Sequence, residues 1–547
     1  MKNIKRKIKS LLTVVLAFML YGCSDYVEPK YVPEFPWRTV EQFEMAVIQP
    51  YAVGYGGWSY NMACMSWYEM LAMDMCTPIE QAAPNNEWRS IIGRLQRDVP
   101  FESLNWIQSC FWNIYRAICA SNEALDFLKS DDLQKLFPKN DQATIDANIP
   151  RAKAELIFWR AYSYYWGMMF FCPPYDPGGA NADQILPLKI DNKNVRNTKI
   201  GTTKEIADQI IADLKEAKSL MPQSWYKSGR TNYWAISGLL ARMYFMTGDF
   251  VNAEKECTEI LNHYGPMGLP DNPMAVWTVA AGQQEPKNEA IWMFNTSESG
   301  KMNEAWSVVT RADIWKTTGG GRGRDSQGGW NMCKLSNNII KRIGWMVDPE
   351  NGNYTETDLA RADKRYGNTW LRVEGYKTAA EVQAEIDSTG NNSLWDKYEQ
   401  RFNTQSMPHI YPDKYGRTPD ARRQNQPLMR VPEFYIMRAA IRFKNNDKSG
   451  AAADLKVVRD RAGLTGVYEL TANTITQEDI DREHVIELGA ESLWQLYHVA
   501  LRKPFMPGDR KGVAPVNPPY AGWYWKISIY EVLRNNGYDG IPDPNSK

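Results

Sequence analysis

The chain is 547 residues long, 44% hydrophobic and 23% charged, with 64 basic residues against 64 acidic ones. That neutrality argues against nucleic acid or an anionic membrane face as the main partner, since both select for a cationic surface. Aromatics are abundant (21 Trp, 29 Tyr, 17 Phe), and tryptophan at this density leaves some flat apolar faces exposed to meet sugar rings or partner surfaces.

Residues 1–22 have the parts of a signal peptide. Lys2, Lys5, Arg6, Lys7 and Lys9 form a basic head, an apolar run spans 11–20, and Tyr21-Gly22 precede the cut. Cys23 follows immediately, and Leu20-Tyr21-Gly22-Cys23 resembles a bacterial lipobox, in which the cysteine thiol receives a diacylglycerol. A run of about ten residues is too short to cross a bilayer, which needs about 20, and no later stretch is long and apolar enough. These features imply an exported protein held by lipid on Cys23, with residues 24–37 as a polar, proline-bearing tether. Removing the leader leaves 59 basic against 64 acidic residues. The seven other cysteines are odd in number and irregularly spaced, so they read as small buried hydrophobes rather than a disulfide framework. A Cys64–Cys76 pair stays open at this level.

Beyond the tether, helical periodicity dominates to about residue 265. Over 104–128, Leu104, Ile107, Phe111, Ile114, Tyr115, Ile118, Leu125 and Leu128 recur at spacings of three and four. Trp112, Trp159 and Trp234 sit on clear helical faces and are assigned to the core. Pro150-Arg151 is expected to open a helix that runs to Phe171 and stops at Pro173-Pro174. Thr202 and Glu205 have capping-box spacing for a helix ending near Leu220. Residues 231–246 and 250–261 read as two helices joined by Thr247-Gly248-Asp249, which is similar to the latter half of a tetratricopeptide repeat. A comparable pair is predicted over 432–443 and 448–462. Between about 265 and 430, Gly, Pro, Asn and Trp become frequent and the periodicity breaks up, as expected of a loop-rich inserted lobe.

Several segments in chain order together resemble the SusD/RagB family of glycan-uptake lipoproteins. They are the leader ending at Cys23, Arg160-Ala161-Tyr162-Ser163-Tyr164-Tyr165 with Leu186-Pro187-Leu188, and Ala241-Arg242-Met243-Tyr244 with Gly248-Asp249-Phe250. Most specific is the stretch 429–440, Met-Arg-Val-Pro-Glu-Phe-Tyr-Ile-Met-Arg-Ala-Ala, leading to Val458-Arg459-Asp460-Arg461-Ala462-Gly463-Leu464. Arg482-Glu483-His484-Val485-Ile486-Glu487-Leu488 and the closing stretch 525–536 complete the match. Two departures stand out: Pro432 replaces an alanine of the family pattern, and Arg438 replaces an acid. The resemblance implies an all-α scaffold of tetratricopeptide-like helix pairs in one domain over 38–547. It also implies an outer-membrane location facing the cell exterior, an oligosaccharide or polysaccharide ligand, and a SusC-like TonB-dependent transporter as partner.

The residues give little support to catalysis or metal binding. The chain has four histidines, none at i,i+4 spacing, and no Cys-x-x-Cys. The glycine run 319–323 lacks a following Gly-Lys-Ser/Thr, and no Gly-x-Ser-x-Gly elbow occurs. Asp131-Asp132 and Glu478-Asp479 read as helix-start residues. Neither a cofactor nor an enzymatic role is expected. Sugar capture without chemistry needs aromatic platforms with a few amides and guanidiniums. The candidates are Trp88, Asn303, Trp306, Arg311, Trp315 and Trp330. Peptide cargo on the same fold, or a protein-docking module, are the alternative readings.

Overall fold

The computed structural model describes residues 37–55, 74–78, 105–192, 198–280, 283–295, 333–373, 409–412, 414, 425–510 and 512–525, with a few positions between 383 and 390. Helices α1 (Val40–Tyr55), α2 (Asn105–Phe127), α3 (Leu133–Leu136) and α4 (Gln142–Phe171) come first, interrupted by strand β1 (Cys76–Pro78). A hairpin of β2 (Gln184–Pro187) and β3 (Ile200–Thr202) leads into α5 (Thr203–Leu220), α6 (Tyr233–Thr247) and α7 (Phe250–Tyr264). The middle of the chain holds β4 (Ala290–Phe294), β5 (Cys333–Leu335), α8 (Asn337–Ile343), β6 (Met346–Asp348), β7 (Asn353–Glu356), α9 (Asp358–Ala362), β8 (Trp370–Val373), β9 (His409–Pro412) and β10 (Gln426–Arg430). Helices α10 (Val431–Lys444), α11 (Lys448–Arg461), α12 (Gln477–Leu488) and α13 (Trp494–Ala500) finish the order. Helices carry the scaffold, and the described strands form five two-stranded antiparallel ladders.

The predicted helix pair is present, and its turn shows why. Asn232 accepts hydrogen bonds from the backbone N–H of Trp234 and Ala235 to start α6. Gly248 ends it at φ +81°, in the left-handed region, and Asp249 caps α7 by accepting from Asn252 N–H. The second pair, α10 and α11, turns at Asp447, which caps α11. Helices α7 and α10 pack together, so the two pairs lie side by side. Thr202 and Glu205 close a capping box on α5, as their spacing predicts.

Two expectations are corrected. The helix expected to open at Pro150 begins at Gln142, capped by Asp141, and Pro150 lies inside it. Proline in a helix interior costs about 3 kcal/mol; the offset here is burial, since nearly every residue from Arg151 to Phe171 is buried. Trp159 and Trp234 are core residues, but Trp112 is 61% exposed. Position 112 lies about 100° around α2 from Phe111, off the apolar stripe that enters the core.

One core cluster runs from Val40 to Trp525, with Trp159, Trp277, Trp345 and Trp370 among its largest fully buried side chains. Cys172 and Cys257 are free and buried, Cys110 is buried, and Cys119 is free and half-buried. Burial pushes the Cys172 thiol up to about 12, so it packs as a neutral hydrophobe. Cys64 lies outside the described residues, and Cys76 is paired through its backbone with Leu335. Arginines from the family-like segments tie helices together. Arg160 binds Asp213 through two 2.7 Å hydrogen bonds, joining α4 to α5. Arg242 binds Glu433 at 2.6 and 2.7 Å, joining α6 to α10. Arg438, the departure from the family pattern, finds its own carboxylate in Asp454 at 2.6 Å. No described helix is long and apolar enough to cross a membrane.

Candidate functional site

Cys23 and the six candidate ligand contacts, Trp88, Asn303, Trp306, Arg311, Trp315 and Trp330, lie outside the described residues. The segments that carry the six have described ends, and these converge. Strand β1 ends at Pro78, ten residues before Trp88; β5 begins at Cys333, three residues after Trp330. In the β1–β5 ladder Pro78 lies opposite Cys333, so both segments leave the scaffold from the same end of one ladder. In the β4–β10 ladder Phe294 lies opposite Gln426. The stretch that begins at 296 and the stretch that ends at 424 therefore also share a ladder end.

The β1–β5 end is held firmly. The Trp494 indole donates to Asp74 Oδ1 at 2.8 Å, and Ser336 Oγ donates to the Asp74 carbonyl at 2.5 Å. Ser336 N–H in turn donates to the Met75 carbonyl at 3.2 Å. Burial raises the Asp74 carboxyl above the usual carboxylate range, against the Trp494 hydrogen bond and the charges of Arg342 and Arg510. Residues 74–78 are thereby clamped between the start of α8 and the start of α13.

The middle of the chain is fastened to α10–α12 by a buried charge cluster. Five cations (Arg365, Lys414, Arg430, Arg459, Arg461) meet five anions (Glu289, Asp363, Glu483, Glu487, Glu491). Glu487 is the hub: it accepts from Arg430 Nη1 at 2.5 Å, from Arg365 Nη1 at 3.0 Å, and from Arg461. Burial pushes its carboxyl up, but Arg461, Arg430 and Arg365 outweigh that and hold it well below the usual range. Glu289 goes the other way, because burial exceeds the pull of Arg461 and Arg430. Lys414 enters from beside β9. Its ammonium donates to the carbonyls of Glu487 at 2.8 Å and Gly489 at 2.7 Å, at the C-terminal end of α12, and to Glu491 at 2.5 Å. Burial lowers its pKa to about 8, against the attraction of Glu491.

Among the described residues no group of three or more His, Cys, Asp or Glu is placed to hold a metal ion. His484 and His498 are buried against Trp494 and Tyr497. Burial drives both imidazoles down to about 3, so they are neutral. Asp132 caps α3, and Glu478 and Asp479 sit in the first turn of α12, as helix-start residues should.

The exposure of Trp112 is what the helical-face reading of the sequence missed. The signal for it was the phase of the α2 stripe, on which 112 does not fall.

Comparison with known proteins gives a consistent picture. A family model described as starch-binding, associating with the outer membrane, matches residues 60–245, and the SusD family model matches 288–493. A SusD-like protein from Formosa agariphila is 24% identical over 310 residues, covering 54% of this chain and 55% of that relative, so the match spans about half of each. Among solved structures, a SusD superfamily protein from Bacteroides vulgatus superposes with a TM-score of 0.66 at 17% identity, over 93% of this chain and 100% of that one. The surface glycan-binding protein A of Bacteroides thetaiotaomicron, in complex with laminarihexaose, superposes with a TM-score of 0.63 at 16% identity, over 91% and 98%. At these identities the structural matches establish the shared fold.

Proposed function

Since the chain belongs to the SusD family, we propose that it is a non-catalytic, cell-surface glycan-binding lipoprotein that delivers oligosaccharide to a SusC-like TonB-dependent outer-membrane transporter. In this reading residues 1–22 are removed, Cys23 carries the lipid, and 23–37 tether a single helical domain over 38–547. The irregular stretch from about 265 to 430 is the ligand lobe. Trp88, Asn303, Trp306, Arg311, Trp315 and Trp330 supply the platforms and the polar contacts.

The observation that carries the reading is the β1–β5 ladder. Pro78 opposite Cys333 roots the segment of Trp88 beside the segment of the other five candidates, although the two are far apart in sequence. Aromatic platforms with a few donors are what a shallow sugar cleft requires. A fold shared with a protein solved in complex with laminarihexaose supports the choice of ligand class.

Laminarihexaose is the first probe for isothermal titration, followed by an array of plant, host and microbial glycans. The double variant Trp315→Ala/Trp330→Ala is expected to bind no glycan that the parent binds, with an unchanged circular dichroism spectrum. Undiminished affinity would show that the platforms lie elsewhere. Silence of the parent across the array, with micromolar binding of peptides, would replace sugar by peptide as the cargo.

A further inference from the structure

The turn between α12 and α13 carries a strained backbone. Ala490 and Ser492 stand at φ +70° and +67°, in the left-handed region, on either side of Glu491. There the Cβ of an L-residue crowds the following carbonyl oxygen, so such a conformation persists only where its surroundings impose it. Both residues are buried, and Ser492 Oγ has no hydrogen-bond partner, so the hydroxyl does not compensate. The turn is held from outside itself.

The holding groups come from one end of the β8–β9 ladder, where Trp370 lies opposite Pro412 and Lys414 follows two residues later. Lys414 is buried and has three ammonium hydrogens for three acceptors: the carbonyls of Glu487 and Gly489, and Glu491 Oε1. Its Nζ also lies 5.4 Å from the centroid of the Trp277 ring and 5.8 Å from that of Trp370, within cation–π range. Arg430 grips Glu491 as well, through two 2.7 Å bonds, but only at the end of the side chain. Among the described residues Lys414 alone reaches the Gly489 carbonyl, the backbone group just before Ala490. The Trp370 indole donates to the Ile486 carbonyl at 3.0 Å, and its ring fills the space a Cβ on Gly489 would need. On the far side of the turn, two residues beyond Ser492, Trp494 donates to Asp74 at the root of β1.

We propose that this turn is a strained latch coupling the β8–β9 ladder to the root of β1. Lys414 holds it in the left-handed form; when Lys414 withdraws, Ala490 and Ser492 relax, Trp494 leaves Asp74, and residues 74–78 are released. The left-handed and relaxed backbones are discrete alternatives, which is what a coupling element between two sites requires.

Hydrogen–deuterium exchange on the full chain tests the latch with Lys414→Met, which keeps most of the stem and removes the ammonium. Backbone amides over 74–77 and 489–495 should exchange about tenfold faster or more, while those of α6 and α7 keep the parent's rate. Adding Ala490→Gly and Ser492→Gly should restore slow exchange at 74–77, because glycine keeps the left-handed turn without Lys414. A lysine that only filled space would not be rescued in this way. Parental exchange at 74–77 in Lys414→Met, a loss spread evenly to α6 and α7, or failure of the glycine rescue would each overturn the proposal. Should Lys414→Met not fold, Ser492→Gly alone decides the matter. Relief of strain predicts a melting temperature above the parent's, and one at or below it would overturn the latch.

Discussion

Replacing Glu487 by glutamine tests the buried charge cluster at its hub. The side chain keeps its shape but loses its charge, leaving five buried cations facing four anions. One of its two acceptor oxygens becomes a donor aimed at guanidiniums that already donate: Arg430 and Arg461 on one side, Arg365 on the other. Removing one partner of a buried ion pair costs about 3–5 kcal/mol, because the charge left behind has neither water nor a counterion. The melting temperature will move less than that figure suggests. Unfolding entropy of about 2.1 cal/mol/K per residue, over a folded body of this length, comes to about 1 kcal/mol per degree, so the drop is about 3–5 °C. Differential scanning calorimetry and a urea midpoint measure it. The double variant Glu487→Gln/Arg461→Met restores neutrality and should recover at least about 1 kcal/mol of the loss, the mark of coupled sites. A single variant within 1 °C of the parent would refute the view that this cluster holds the middle of the chain to α10–α12.

Acid should destabilise the fold through its two buried histidines. Both imidazoles sit near 3 in the folded state against about 6.5 when unfolded. Their contribution is therefore complete above pH 6.5 and is lost as pH falls toward 3. At pH 5 each costs about 2 kcal/mol, partly offset by the raised carboxyls of Asp74 and Glu289, which favour the folded state as they protonate. Urea midpoints at pH 7.5 and pH 5.0 should differ accordingly, and a pH-independent midpoint would sink the argument. Gly248→Ala should cost about 1–2 kcal/mol, because alanine resists the left-handed backbone there. A Cβ at that position would also lie 2.9 Å from Pro177 Cβ. A thermal melt equal to the parent's would show that the turn relaxes at no cost.

How much was legible beforehand depends on how local each signal is. The α6–α7 turn could be read because Asn232, Gly248 and Asp249 act on backbone groups within four residues of themselves. The start of α4 was misplaced because Pro150 is a strong local signal, and the burial that overrides it is tertiary. Trp112 was misassigned because its helical face was taken for a core face, whereas the buried stripe of α2 passes through Phe111, Ile114 and Ile118. The charge cluster had half its members in view, since Arg430, Arg459, Arg461, Glu483 and Glu487 lie in the segments that carry the family resemblance. Their partners Glu289, Asp363, Arg365 and Lys414 lie in the irregular stretch, where no periodicity marks them. The candidate residues themselves were read from type and neighbourhood alone. What the structure adds is the pairing of their segment ends, a contact between distant residues that no window of sequence contains.

That pairing has a consequence for the order in which the molecule assembles. The β1–β5 ladder is three residues long and joins positions 78 and 333. Closing a chain loop of that size costs roughly 5 kcal/mol of entropy on the logarithmic scaling of loop closure, more than a three-residue ladder recovers. It can form only after the helices in between have packed and brought its strands together. Once α8 and α13 are seated, Ser336 and Trp494 are in position to receive Asp74, and the ladder becomes a late fastening. The β1–β5 junction is thus a late event in folding and among the first contacts to open when the body loosens.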